Sequence, residues 1–147
     1  MPLAMARKLA FISNYAACVR SVSEPCASPR PRECPVFRVP SVPPYIEHAW
    51  YKAYAFVEPA RLRSGWDRDR IVAEINTRGV PCSMGSCSEV YLEKAFDGTG
   101  LRPAERLPVA RELGETSVMF LVHPTLTQGD VAKTCEVVRD VGRAALA

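Results

Sequence analysis

The sequence is poor in lysine and histidine, and it lacks the short motifs that mark several enzyme classes. Four lysines and two histidines occur among 147 residues, and 15 of the 19 basic residues are arginine. The sequence has no Gly-x-Gly-x-x-Gly fingerprint, no phosphate-binding Gly/Lys loop and no Gly-x-Ser-x-Gly nucleophile elbow. These absences argue against a dinucleotide-binding protein, a P-loop enzyme and an α/β-hydrolase.

Long apolar runs are also missing. No segment approaches the roughly 20 apolar residues of a transmembrane helix, and the apolar stretch after Arg7 and Lys8 is interrupted by Ser13 and Asn14. We therefore predict a cytoplasmic protein without a membrane partner. The formal net charge of +3 comes from arginines scattered among carboxylates. A nucleic-acid-binding protein would show a clustered basic stripe instead, so we predict no nucleic-acid partner.

The cysteines do not have the C-x-x-C spacing of a zinc site. The two in "CSMGSC" are separated by four residues, with no histidine nearby, so we predict no metal site. A chain of this length can bury a core without disulfides, and we interpret the cysteines as reduced thiols. There are six of them: Cys18, Cys26, Cys34, Cys82, Cys87 and Cys135.

Proline divides the chain near residue 43. Residues 4–22 have the apolar spacing of one helix. Seven prolines in residues 23–44 exclude a helix or a central strand there, and predict an extended or disordered linker. We expect residues 1–42 to be a poorly ordered helix and linker, and residues 43–147 to be the folded domain.

A regular apolar pattern begins at His48. The segment "HAWYKAYAFV" alternates as a strand does. Asp67 is placed to cap a helix with a stripe of Ile71, Val72 and Ile75, and Gly79 is placed to end that helix. The segment "VPCSM" predicts a short strand that leads into a glycine-containing loop.

The last third of the chain predicts a helix, a strand and a helix. Pro108 opens the first helix, with Val109 and Leu113 facing inward. The apolar run 116–122 predicts a buried strand, and Thr127 caps the final helix. The element order predicts an α+β fold, with a small two-layer sheet and helices packed on one face.

The histidines and lysines give no strong catalytic signal. His48 and His123 flank predicted strands, where a single histidine is more often structural than catalytic. We interpret all four lysines as solvated charges: Lys8, Lys52, Lys94 and Lys133.

Three segments carry a resemblance to a known family. They are "HAWYKAYAFVEPARL", "WDRDRIVAEINTRGVPCSMGSCSEVYLEKAF" and "RPAERLPVARELGETSVMFLVHPTLTQGDV". Their order and spacing are similar to those of the C-terminal small domain of the DegT/StrS-type sugar aminotransferases. These enzymes depend on pyridoxal phosphate and have the aspartate-aminotransferase fold, fold type I. The resemblance covers residues 43–147.

The resemblance implies that the chain lacks the family's cofactor machinery. In the family, the lysine that binds pyridoxal phosphate and the acid that pairs with its ring nitrogen lie in the larger N-terminal domain. No lysine of this chain matches that position. We therefore expect no catalytic residue and no bound cofactor in this chain alone.

The segment "GSCSEVYLEKAF" resembles the family's loop that faces the cleft between the two domains. On that reading, Ser86, Cys87, Ser88 and Glu89 offer hydroxyl, thiol and carboxylate groups to a sugar substrate. Read from spacing alone, the segment is a Gly/Ser turn that feeds a helix capped by Ser88. A residue can cap a helix and also line a cleft, so both interpretations stay open. Some relatives have a histidine-rich motif here, and "CSMGSCSE" departs from it.

Two functions remain open. The resemblance implies a fragment of an enzyme that transfers an amino group from an amino donor to a keto-sugar nucleotide, inactive without the large domain. The alternative is a non-catalytic binding or oligomerising module, which could self-associate through the surface that the large domain would cover. The Pro-rich residues 23–44 match nothing in the family, and suggest a truncated or frame-shifted gene product.

Overall fold

The structure is a computed structural model that describes residues 36–40, 43, 45–46, 51–123 and 125–147. The helix predicted over residues 4–22 lies outside this part of the chain, as do His48 and Trp50. The domain division predicted for residues 1–35 therefore stays a prediction.

A four-stranded antiparallel sheet forms the centre of the fold. The strands are β1 (Phe37–Arg38), β2 (Lys52–Val57), β3 (Cys82–Met84) and β4 (Ser117–Leu121), and their order across the sheet is β1-β2-β4-β3. The strand β4 therefore lies in the interior of the sheet. Its first four residues are all buried, which confirms the prediction of a buried strand.

The sheet buries one face against two helices. In β2, buried Ala53, Ala55 and Val57 alternate with half-buried residues. The register pairs Ala53 with Phe120 and Ala55 with Val118, so these side chains share a face. The helices α1 (Arg68–Thr77) and α3 (Gln128–Ala145) complete the core on that face. This arrangement confirms the predicted α+β fold.

Both core helices begin as the sequence predicts, and α1 also ends as predicted. The Asp67 side chain accepts a hydrogen bond from the Arg70 backbone N–H, and Gly79 follows α1 with a φ of 73°. Thr127 and Asp130 form a capping box at the start of α3. The Lys133 side chain donates to the Gly79 carbonyl at 3.3 Å, so this lysine does more than interact with solvent.

The third helix, α2 (Pro108–Thr116), differs from its prediction at one residue. Pro108 begins the helix as expected, but Val109 is 66% exposed rather than inward. Thr116 is the one fully buried residue of this helix, because only its C-terminal end meets the sheet. Leu113, the other residue predicted to face inward, is half-buried.

The chain joins the core earlier than predicted. The edge strand β1 lies in the Pro-rich stretch and pairs with the end of β2. Val36 and Phe37 are both buried in the core. Proline is tolerated beside an edge strand because that strand needs hydrogen bonds on one side only. The boundary predicted at residue 43 is therefore too late for residues 36–40.

Asn76 closes the other edge of the sheet. Its side-chain amide donates to the Cys82 carbonyl at 2.7 Å, and its side-chain oxygen accepts from the Cys82 N–H at 3.2 Å. The side chain thus takes the place of a neighbouring strand at β3.

Cys135 is disulfide-bonded. The expectation of reduced thiols is therefore wrong for this residue. Cys82 and Cys87 are free thiols, one buried and one exposed.

Candidate functional site

The loop Gly85–Glu89 folds back over the sheet face opposite the core. Tyr54 lies on that face because it alternates with the buried residues of β2. The Tyr54 hydroxyl is 2.8 Å from the Ser86 Oγ. This hydrogen bond places the predicted site residue Ser86 above β2.

Two glycines let the loop pack closely. A Cβ at Gly85 would lie 2.8 Å from the Ser117 Cβ, which is closer than real side chains approach. A Cβ at Gly114, in α2, would lie 2.5 Å from the Ser88 Oγ. Both contacts are steric, because neither glycine has a positive φ. Ser88 is therefore packed against α2.

Ser88 does not cap a helix. The residues after the loop form two short 3-10 turns, Val90–Leu92 and Lys94–Phe96, and neither has a side-chain cap. The Arg102 guanidinium donates to the carbonyls of Tyr91, Leu92 and Glu93. An α-helix through this run would need those carbonyls for its own hydrogen bonds. The interpretation of a helix capped by Ser88 is therefore wrong.

Glu89 is held by two partners. The Arg106 guanidinium forms a forked ion pair with both carboxylate oxygens, with Nε 2.9 Å from Oε1, and the Tyr91 hydroxyl donates to Oε1 at 2.7 Å. The hydrogen bonds from Arg106, and then that from Tyr91, lower the pKa of Glu89 to about 2. Glu89 is therefore charged throughout the neutral range.

Cys87 is an accessible donor of the loop. It is exposed, and its Sγ lies 3.6 Å from a carboxylate oxygen of Glu93. The nearby thiol of Cys82 contrasts with it, because burial raises the pKa of Cys82 to about 12. The thiol of Cys82 therefore stays protonated, and only Cys87 of these two can contact a ligand.

The four predicted residues differ in what they offer to a ligand. Ser86 and Cys87 are exposed, Ser88 is half-buried against α2, and Glu89 already accepts hydrogen bonds from two side chains. The one carboxylate of the loop, that of Glu89, is engaged by Arg106 and Tyr91 and is a weak base. Hydroxyl and thiol groups on a packed loop are suited to binding rather than to proton transfer.

The structure gives little support for a ligand-binding role of His123 or for a metal site. The His123 Nδ1 lies 2.7 Å from the Thr125 Oγ1 and accepts from the Thr125 backbone N–H at 3.3 Å. This local turn gives His123 a structural role. Within the described ranges, the structure contains no group of three or more metal-ligating side chains.

The lysines in the described residues do not fit a pyridoxal-phosphate site. Lys133 donates to a backbone carbonyl, and the Lys52 ammonium lies 5.5 Å from the centre of the Tyr51 ring. Lys94 lies exposed in a 3-10 turn. A Schiff-base lysine needs an enclosed site with a carboxylate for the cofactor ring nitrogen, and none of these three has one.

Solved structures show the same fold in part of larger proteins. An aminotransferase from Psychrobacter cryohalolentis is 40% identical, with a TM-score of 0.78, over 96% of this chain and 35% of its own. The chain is thus similar to the DegT/StrS-type and related aminotransferases, as its three sequence segments indicated. A DegT/DnrJ/EryC1/StrS aminotransferase from Brucella abortus is 20% identical, with a TM-score of 0.65, over 92% of this chain and 30% of its own.

A third structure extends the likeness in fold. The aminotransferase TlmJ from Streptoalloteichus hindustanus is 18% identical, with a TM-score of 0.70, over 95% of this chain and 32% of its own. The chain thus spans about a third of the length of these aminotransferases, which is consistent with a C-terminal fragment.

Other comparisons add no family. No protein-family model matches the sequence, and no curated protein sequence matches it. In the residues that the structure describes, no helix is long and apolar enough to cross a membrane.

Proposed function

We propose that this chain is the substrate-facing C-terminal part of a pyridoxal-phosphate-dependent aminotransferase that acts on a keto-sugar nucleotide. The observation that carries the proposal is the 40% identity to an aminotransferase over 96% of this chain but only 35% of that protein. The remaining two thirds of such an enzyme would supply the cofactor and its lysine. On this proposal the chain is cytoplasmic and inactive by itself.

Within this function, the loop would contact the sugar. The Ser86 and Ser88 hydroxyls can each donate and accept hydrogen bonds, as a sugar hydroxyl also does. The exposed Cys87 thiol lies between them. Glu89 completes the predicted set, and its ion pair with Arg106 holds the C-terminal end of the loop. Sites between domains commonly combine a packed scaffold with a few such polar groups.

Reconstitution with a large domain tests the proposal. The purified full chain would be mixed with the N-terminal two thirds of a related aminotransferase, with pyridoxal phosphate, glutamate and a keto-sugar nucleotide. We expect amino-sugar product only when both polypeptides are present. The same mixture with Ser86→Ala should form less product, whereas Ser64→Ala, at an exposed turn outside the loop, should not change it. Product formation by the chain alone would contradict the proposal.

Cofactor binding by the isolated chain is a separate test. Incubation with pyridoxal phosphate, followed by borohydride reduction, should give only weak labelling spread over several lysines. Exposed amines react weakly with any aldehyde, so such scattered labelling is expected. A stoichiometric adduct on one lysine would show that this chain holds the cofactor by itself.

A non-catalytic module that self-associates is the second candidate. The observation in its favour is exposed apolar surface, since Tyr51 is 83% exposed and Met84 is 56% exposed. Tyr54 and Tyr91 are only half-exposed. Sedimentation at micromolar concentration tests whether the chain self-associates, as the second candidate function requires. A concentration-dependent dimer would support the module, whereas a monomer with a reversible melt would count against self-association.

A further inference from the structure

We infer that Glu89, Tyr91 and Arg106 form a clamp that positions the Ser86–Ser88 segment for its ligand, and that Glu89 is not itself a ligand-contacting residue. This inference rests on the proposed function for the ligand, but the geometry of the clamp is independent of it. The three residues are separated by up to 17 positions along the chain.

The first step is that most of the hydrogen-bonding capacity of the Glu89 carboxylate is already used within the chain. Its side chain is only 12% exposed. It accepts hydrogen bonds from the Arg106 Nε and Nη2 and from the Tyr91 hydroxyl. A sugar hydroxyl would therefore find at most one open acceptor site, on Oε2, of a carboxylate that is nearly buried and already held by charge-assisted contacts.

The second step is that the clamp ties the loop to helix α2. The Tyr91 hydroxyl donates to Glu89 and accepts from the Leu107 backbone N–H at 3.0 Å, directly before the helix begins. Arg106 also approaches Glu115, near the C-terminal end of α2, at 3.9 Å. The loop and both ends of α2 therefore belong to one polar network.

The third step is that the other end of the loop is held by different contacts. Ser86 is bonded to Tyr54, and Gly85 packs against Ser117. These contacts fix the loop where it leaves β3, and the clamp fixes it where it enters the 3-10 turns. Ser86 and Cys87 are exposed between these two attachments. Such pre-ordering reduces the entropy that a ligand loses when it binds.

The chemistry of the clamp makes the inference specific to arginine. A guanidinium matches both carboxylate oxygens at once, whereas a lysine ammonium is a point charge that cannot form the fork. The pKa of Glu89 is held well below neutral by Arg106 and Tyr91, so the ion pair is present under ordinary conditions. We expect Arg106→Lys to weaken the clamp while the charge is kept.

Local hydrogen exchange tests the clamp in the full chain. Arg106→Lys and Glu89→Gln should raise amide exchange in peptides covering residues 85–92 by about two- to fivefold, the factor that an ion pair of this exposure provides. Alkylation of Cys87, followed by peptide mass spectrometry, should accelerate in parallel. The control is Arg143→Lys on α3, whose pair with Asp140 is 4.0 Å long and remote from the loop.

The outcomes separate a clamp from a general loss of stability. Faster exchange confined to the loop supports the inference, and unchanged exchange in both variants overturns it. If exchange also rises in β4 and α3, Tyr91→Phe supplies the second test, because it removes the hydroxyl and keeps the ring. A loop that stays protected in Tyr91→Phe would also contradict the clamp.

Ligand binding separates this inference from the proposed function. The wild-type chain would be reconstituted with a large domain and titrated with keto-sugar nucleotide. The Glu89→Gln variant would then be titrated in the same way. If Glu89 positions the loop, affinity should fall by no more than the measured change in loop exchange. A larger loss would make Glu89 a direct ligand and overturn the inference. If the wild type binds no sugar nucleotide, the proposed function fails, and the exchange result still decides the clamp.

Discussion

On one face of the sheet, Val118 and Phe120 pack against two helices; on the other, Tyr54 and Ser117 lie beneath a polar loop. The first face is held by apolar burial, which is non-directional and tolerates similar side chains. The second is held by hydrogen bonds, one ion pair and two close glycine contacts. Directional contacts fix where a hydroxyl lies, which is what a binding loop requires. The difference indicates that one face stabilises the fold and the other positions the loop.

The largest effect should come from a truncation on the packed face. Phe120 is 1% exposed, whereas its neighbour Leu121 is 53% exposed. Phe120→Ala should reduce the free energy of unfolding by about 3–5 kcal/mol, because the cavity adds to the lost burial. Leu121→Ala should change it by about 0.5 kcal/mol or less. Urea denaturation measures both, and similar losses would show that the two faces contribute equally to stability.

A smaller loss of stability should come from adding a side chain at the close contact beneath the loop. Gly85→Ala places a methyl group against the Ser117 side chain, and overpacking of this kind costs about 1–3 kcal/mol. The matched control is Gly129→Ala in α3, where the new Cβ would lie 3.5 Å from the Thr127 Oγ1, an ordinary contact. We expect the control to be neutral or stabilising in thermal melts. Equal stability of the two variants would mean that the loop is not packed as described.

The edge of the sheet should respond to the loss of one side chain. Asn76→Ala leaves the Cys82 N–H and carbonyl without their side-chain partner, at a cost of about 1–2 kcal/mol. The control Thr77→Ala removes only a local bond to the Glu74 carbonyl. Denaturant midpoints should separate the two variants. No difference would show that solvent replaces Asn76 without loss.

The smallest effect should be an acid-dependent one at the clamp. The folded pKa of Glu89 is about 2, below the ordinary value of 4.5, so its stabilisation is complete above that value and is lost as the pH falls toward 2. The melting temperature of the wild type should exceed that of Glu89→Gln at neutral pH, and the two should converge in acid. A difference that does not shrink between pH 5 and pH 2 would contradict this origin.

The overall fold was predictable because its signals are local. The caps at Asp67 and Thr127, the glycine after α1 and the apolar run of β4 each depend on residues a few positions apart. Such short-range preferences act before the chain is packed. Val109 was mispredicted because periodicity gives the face of a helix but not how far the helix extends past the sheet.

The sequence alone determined the element order, the helix caps, the buried strand and the position of the candidate loop. Only the tertiary structure decided what the loop contacts: Ser86 meets Tyr54 across 32 positions, and Glu89 meets Arg106 across 17. It also decided that Phe37, in a Pro-rich stretch, completes the sheet edge. The reason is physical: caps and periodicity depend on neighbours along the chain, whereas ion pairs, close packing and edge pairing depend on the strand register that brings distant residues together.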